Sequence, residues 1–195
     1  FDSEYFRKDS KPFFNFVRDF IGLEQQIKPT FTHRFLANLE KIGKLKGVIT
    51  QNIDSLHHKA GSNNVLEIHG SFWKSFCLEC NRKYSYSEMK ARLFKEDVPV
   101  CACGGVIKPD VVFFGENVKH IDEAFELARK ADLFFVIGTS LVVQPAASIP
   151  TMTKGKIIVV NKGELGTDLN NVVLTVEEDA DEFFKKVRFC LDEHP

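Results

Sequence analysis

Apolar positions recur at helical spacing twice near the start of the chain. Phe13, Phe16, Val17 and Phe20 share one face of a helix predicted over Pro12 to Leu23, and Phe35, Leu36, Leu39 and Ile42 share one face of a second over Thr30 to Ile42. Ser10 with Pro12, and Pro29 with Thr30, supply start signals. Both stripes are expected to be core rather than ligand contacts. The pattern then changes to short apolar runs: Gly47 to Thr50, Val65 to Ile68, Val111 to Phe114, Leu133 to Ile137, Ile157 to Val160 and Val172 to Val176. Helices are predicted over Ile121 to Lys130, briefly near Ala146, and from about Asp179 onward. Continuous apolar strands alternating with helices predict a parallel sheet covered on both faces, hence a doubly wound α/β fold.

Between these halves lies a stretch of different character. Cys77 and Cys80 are separated by two residues, Cys101 and Cys103 by one, and Gly104-Gly105 follows the second pair. That is the layout of a zinc ribbon with one arm shortened. Four thiolates fill the tetrahedral sphere of Zn2+ and leave no position for water, so one structural ion is expected and a zinc-dependent hydrolase is not. Cys190, alone in an amphipathic run, is expected to be a small core residue. Reduced thiolates favour a cytoplasmic or nuclear setting. The predicted organisation is a helical segment and first part of the α/β domain over 1–71, a zinc-ribbon module over 72–110, and the second part of the α/β domain over 111–195.

Composition narrows the partners. The 195 residues carry 26 Lys and Arg against 27 Asp and Glu, without a block of like charge, so neither direct nucleic-acid binding nor attachment to a membrane surface is expected. No apolar run approaches the ~20 residues that span a bilayer. Nineteen Phe against one Trp and three Tyr suggest a core filled largely by Phe.

In open α/β sheets ligands bind beyond the carboxyl ends of the strands. Polar residues stand at four such ends: Gln51 to Asp54, His69 with Gly70, Gly138 to Ser140, and Asn161. Main-chain donors, hydroxyls and amides so placed suit phosphate and ribose, which suggests a nucleotide, although no Gly-x-Gly-x-x-Gly occurs.

Taken together, Thr-Gln-Asn-Ile-Asp (50–54), Glu-Ile-His-Gly (67–70), the two cysteine pairs, Lys-Pro-Asp-Val-Val-Phe-Phe-Gly-Glu (108–116), Gly-Thr-Ser-Leu (138–141) and Val-Asn (160–161) resemble the sirtuins, in the family's order and along essentially the whole chain. The resemblance implies a Rossmann-like domain with a small zinc-ribbon module. It also implies an NAD-dependent protein lysine deacetylase that transfers the acetyl group to ADP-ribose and releases nicotinamide, with acetylated protein or peptide as partner. It assigns His69 as general base. Asn52 with Asp54 falls around nicotinamide and its ribose, Gln51 at a ribose hydroxyl, and Ile53 among the cofactor contacts. Gly138, Thr139, Ser140, Asn161, Lys162, Gly163 and Ala180 fall to phosphate, ribose and adenine. Val112, Phe113, Gly115 and Glu116, with Leu141, Val142 and Val143, match two segments that clamp an extended peptide by added-strand hydrogen bonds. Of the other histidines, His33 is expected to pack or hydrogen-bond, His57 and His58 to be structural or exposed on a short helix, and His120 and His194 to lie at the surface.

The family's Gly-Ala-Gly-Ile-Ser phosphate loop and Pro-Asp-Phe-Arg loop are not among these residues. A polypeptide starting at Phe1 is expected to bind NAD weakly, catalyse little and expose a sheet edge. It could then serve as an acyl-lysine or protein binding module instead. A longer parent protein is expected to be active.

Overall fold

The computed structural model describes residues 1–24 and 26–193, with the backbone alone at 20, 22–24 and 189–193. The side chains of Phe20 and Cys190, and the whole of His194, lie outside the described residues. In chain order the elements are α1 (Ser3–Lys8), α2 (Lys11–Glu24), α3 (Phe31–Lys41), β1 (Val48–Thr50), α4 (Leu56–Ala60), β2 (Val65–Glu67), β3 (Gly70–Cys77), β4 (Lys83–Ser85), α5 (Tyr86–Leu93), β5 (Ile107–Val111), α6 (Ile121–Arg129), β6 (Leu133–Ile137), two 3-10 turns (Ala146–Ser148 and Pro150–Met152), β7 (Lys156–Val160), β8 (Val172–Val176) and α7 (Ala180–Glu193). They form two compact units, one from Phe1–Lys28, Thr50–Ser55 and His69–Lys119, the other from Pro29–Ile49, Leu56–Ile68 and the chain from His120 onward.

The first unit is built on an antiparallel sheet of order β4-β3-β5. Ser75 pairs with Tyr84 on one side and Pro109 on the other. Helix α5 begins at a reciprocal cap: the Glu88 carboxylate accepts the Ser85 N–H at 2.8 Å, and the Ser85 hydroxyl accepts the Glu88 N–H at 3.3 Å. Its other end is closed by Arg18 of α2, whose guanidinium donates to the carbonyls of Leu93 (2.7 Å), Glu96 (2.6 Å) and Asp97 (2.5 Å). Phe6, Phe13, Phe14 and Phe113 pack edge to face, with centroids 4.9 to 5.8 Å apart, against buried Val17, Met89, Leu93 and Ile107.

Two sequence expectations change in this unit. The strand predicted over Val111 to Phe114 lies earlier, at Ile107–Val111, and pairs antiparallel with β3. Pro109 tolerates the ladder because β5 is an edge strand. Beyond Val111 the Val112 N–H still reaches the His69 carbonyl at 2.9 Å, and Phe114 forms an isolated parallel bridge with Asp2. Phe13 is core as predicted, but Phe16 is 46% exposed.

The second unit carries a parallel sheet, β6-β7-β8, as predicted, with the ends Ile137, Val160 and Val176 in register. The expected cover on both faces does not extend to the edge strand β8, which is exposed from Val172 to Thr175. A second, two-stranded sheet pairs β1 with β2. Helices α3 and α7 pack through Phe35 and Phe184, centroids 5.3 Å apart, beside buried Leu36, Val160 and Phe183. Asp181 of α7 caps α3: its carboxylate accepts the N–H groups of Phe31 (3.0 Å) and Thr32 (2.9 Å) and the Thr32 hydroxyl (2.6 Å). His33 is hydrogen-bonded, its Nδ1 accepting the Thr30 N–H at 3.3 Å. His58 sits exposed on α4, 4.0 Å from Glu67, and the His57 ring lies against that of His33. His120 is exposed at the start of α6.

Candidate functional site

In the first unit the turn after β1 and the residue before β3 are brought together. The Nδ1 of His69 is 3.2 Å from the main-chain oxygen of Gln51. A carbonyl only accepts, so Nδ1 carries the proton and Nε2 keeps its lone pair. Burial lowers the imidazole pKa below its usual value, the Gln51 carbonyl partly opposing this, so the ring is neutral near pH 7. The main chain on either side is fixed as well. The His69 carbonyl accepts the Val112 N–H at 2.9 Å, and Gly70 takes a φ of +72° where an added Cβ would stand 1.8 Å from the Asp110 oxygen.

His69 lines a cavity of about 500 Å³ together with Gln51, Asn52, Ile53 and Asp54. The opposite character comes from Phe1, Phe13, Phe16, Phe72 and Phe113, with Val111 and Val112. The amide and carboxylate side chains thus face a largely aromatic enclosure, suited to a polar reacting group carried on an apolar stem. Sequence reasoning placed Gln51 to Asp54, His69, Val112 and Phe113 here but missed Phe1, Phe72 and Val111, and it assigned Phe13 and Phe16 to the core alone. The surplus of Phe was the one available signal, and it does not separate lining from core.

Glu116 and Gly115 lie on the turn after Phe113. The Glu116 carboxylate accepts the Phe113 N–H at 2.9 Å and the Lys108 ammonium at 3.0 Å, so its side chain is committed to the chain itself. The N–H groups of Val112, Phe113 and Phe114 go to His69, Glu116 and Phe1. The carbonyls of Phe113 and Phe114 in turn accept the N–H groups of Glu116 and Ser3, each at 3.0 Å, which narrows the added-strand expectation.

The four cysteines converge as predicted. Their sulfurs all lie within 4.8 Å of one another, with Cys77 to Cys103 at 3.4 Å and Cys80 to Cys101 at 3.6 Å. A tetrahedral zinc with bonds of about 2.3 Å needs sulfurs about 3.8 Å apart, so the cluster fits the ion. The short second arm is accommodated by glycine: Gly104 turns at φ +90°, and at Gly105 a Cβ would come within 2.7 Å of the Cys77 sulfur. The Tyr84 hydroxyl donates to Cys101 Sγ at 3.0 Å, a hydrogen bond that orients the ligand. Among the described residues no other cluster of this kind occurs.

In the second unit the register sets Gly138 and Asn161 just past adjacent strand ends. Gly138 has φ +59°, Gly163 has φ +155°, and both have open space where a Cβ would be, which leaves main chain accessible to a phosphate or sugar. The Thr139 hydroxyl accepts the Leu141 N–H at 3.2 Å, and the Ser140 carbonyl accepts the Gly166 N–H at 2.6 Å. Asn161 Nδ2 donates to the Gly163 carbonyl at 2.9 Å, and Lys162 pairs with Asp179 at 3.1 Å, one residue before Ala180 opens α7. Leu141 is buried, whereas Val142 and Val143 are exposed.

No described helix is long and apolar enough to cross a membrane. The family model described as Sir2 family matches residues 1–145. An NAD-dependent protein deacetylase of Sulfurisphaera tokodaii is 46% identical over 186 residues, covering 92% of this chain and 73% of its own. One from Thermotoga maritima is 40% identical over 193 residues, covering 96% and 78%. Among solved structures, "Sir2 bound to acetylated peptide" superposes with a TM-score of 0.91 at 39% identity, covering 96% of this chain and 81% of that one. "Sir2-p53 peptide-NAD+" gives 0.91 and 39%, covering 96% and 80%. With its cysteine cluster, its histidine-lined cavity and these matches over most of its length, the chain belongs to the Sir2 family, the sirtuins.

Proposed function

We propose that the chain is an NAD-dependent protein lysine deacetylase that transfers the acetyl group of acetyl-lysine to ADP-ribose and releases nicotinamide. The observation that carries this reading is His69: a neutral imidazole, its Nδ1 proton held by the Gln51 carbonyl, lining a cavity with Asn52, Asp54 and an aromatic wall. The relatives named NAD-dependent protein deacetylase and the Sir2 complexes with acetylated peptide and NAD+ agree with it.

When bound, NAD supplies an electrophilic ribose carbon with nicotinamide as leaving group. Gln51, Asn52, Ile53 and Asp54 would hold the nicotinamide riboside end, and Gly138 to Ser140, Asn161 to Gly163 and Ala180 the phosphates and adenosine. Asn52 offers amide donors and acceptors to a carboxamide, and Asp54 a carboxylate that tolerates developing positive charge nearby. His69 accepts a proton from a ribose hydroxyl at Nε2. Phe13, Phe72 and Phe113 exclude water and give the neutral acyl-lysine stem an apolar lining, with Val112, Gly115, Glu116 and Leu141 to Val143 along the peptide. Zinc on the four cysteines acts as a structural tie and leaves no coordination site for substrate.

The test is nicotinamide release from NAD in the presence of an acetyl-lysine peptide. Release that depends on both compounds and falls by about 10² to 10⁴ in His69→Ala supports the reading. Peptide binding without nicotinamide release would favour a binding module.

A further inference from the structure

We propose that Lys108 is a positioning residue for the acyl-lysine substrate, holding the Val111 to Glu116 segment in its working conformation; this rests on the deacetylase reading above. Lys108 lies on β5 and is 2% exposed. Its ammonium donates to the Val111 carbonyl at 2.6 Å and to the Glu116 carboxylate at 3.0 Å, and stands 4.0 Å from the centroid of the Phe113 ring. The Glu116 oxygen that receives it also accepts the Phe113 N–H at 2.9 Å. One cation and one anion therefore touch the segment at the carbonyl of 111, the ring and amide of 113, and the carboxylate of 116.

Past the ladder, main-chain hydrogen bonds hold Val112 to His69 and Phe114 to Phe1 and Ser3, and Phe113 between them depends on the Lys108–Glu116 pair. Pairing between β3 and β5 stops at Val111, the chain turns back at Gly115 with φ +88°, and the Phe113 amide has no strand to donate to. Yet Phe113 is buried and lines the cavity beside Val112. A buried ammonium is costly to desolvate, and burial accordingly lowers the pKa of Lys108, with Glu116 opposing. An apolar residue of the same length would fill this space without that cost. It could not bind a carbonyl, a carboxylate and a ring face at once, and holding those three together is what fixes where Phe113 and the main chain of Val112 meet a substrate.

The experiment measures binding of an acetyl-lysine peptide by fluorescence anisotropy, NAD affinity by calorimetry, and amide exchange over residues 112–116, on wild type, Lys108→Met and Lys108→Arg. Lys108→Met is expected to weaken peptide binding about tenfold or more, leave NAD affinity within about twofold, and speed exchange at Phe113, while Lys108→Arg recovers most of both losses. If Lys108→Met does not fold, Glu116→Gln, which removes the anion and keeps an oxygen acceptor, should show the same split. Wild-type peptide affinity in the folded variants, unchanged exchange at Phe113, or equal loss of NAD and peptide affinity overturns the role of Lys108. A wild-type chain that takes no acetylated peptide counts instead against the deacetylase reading.

Discussion

Asp181 offers a perturbation whose size follows from its contacts. Phe31 and Thr32 open α3, so their N–H groups have no carbonyl within the helix, and the Asp181 carboxylate on α7 accepts both, plus the Thr32 hydroxyl. Burial pushes the Asp181 carboxyl up, but the donors of Thr32, Thr30 and Phe31 outweigh it and hold the group well below the usual carboxylate range. Removing a cap costs about 1 kcal/mol and hydrogen bonds to a charge somewhat more, so Asp181→Ala is expected to cost about 2 kcal/mol. For a chain of this size that lowers Tm by roughly 4 to 8 °C. Because the folded pKa is depressed, the stabilisation is fully present above the ordinary value of 3.8 and is lost as pH falls toward the folded value. With the folded carboxylate still ionised at pH 3, linkage removes about 1 kcal/mol between pH 7 and pH 3. Urea unfolding followed by circular dichroism should therefore show a gap of about 2 kcal/mol at pH 7 that narrows by about half at pH 3. A gap under about 0.5 kcal/mol at pH 7, or one that does not narrow, refutes the reasoning.

Three further outcomes are expected. The neutral form of His69 is the base and its pKa is lowered, so kcat/KM should rise with pH along a limb centred below 6.5 and then level; a limb at or above 6.5 would contradict the burial argument. Gly70→Ala forces a Cβ onto the Asp110 carbonyl at positive φ and should cost about 2 kcal/mol or more by denaturant unfolding, with loss of activity from the displaced His69; a cost under about 0.5 kcal/mol would show that the turn relaxes. Metal analysis should find about one zinc per chain. Its removal should red-shift the emission of the sole tryptophan, since Trp73 and Cys77 share β3; a metal-free wild type with unchanged emission on chelation would count against the cluster as a zinc site.

Where periodicity is continuous, sequence and structure agree closely. The stripes behind α2 and α3 and the apolar runs of β6, β7 and β8 are long enough that side-chain pattern alone decides the element. Burial follows less well, since Phe16 and Ile42, both expected in the core, are 46% and 66% exposed, Ile42 because α3 ends at Lys41. The first unit was less legible. Val111 to Phe114 is as apolar as a buried strand, but its apolar side chains serve the cavity while the ladder runs through Lys108 and Pro109, residues that argue locally against a strand. Helix α5 was missed although Ser85 and Glu88 form the spacing of a reciprocal cap, because its apolar positions, Met89 and Leu93, are too few to show a stripe. The site motifs were found from strand ends and resemblance. Lys108 opens one of those motifs, but its role is not legible there, since nothing in a sequence distinguishes a buried lysine from a solvated one.

Arg18 shows how little side-chain identity a long-range link can require. Its guanidinium takes hold of three main-chain oxygens, at Leu93, Glu96 and Asp97, and of no carboxylate among them. Such a grip is indifferent to what residues 96 and 97 carry, provided position 18 keeps a planar, forked cation, and it leaves their carboxylates for other partners: Glu96 accepts the Val100 N–H and pairs with Arg92, and Asp97 pairs with Lys11.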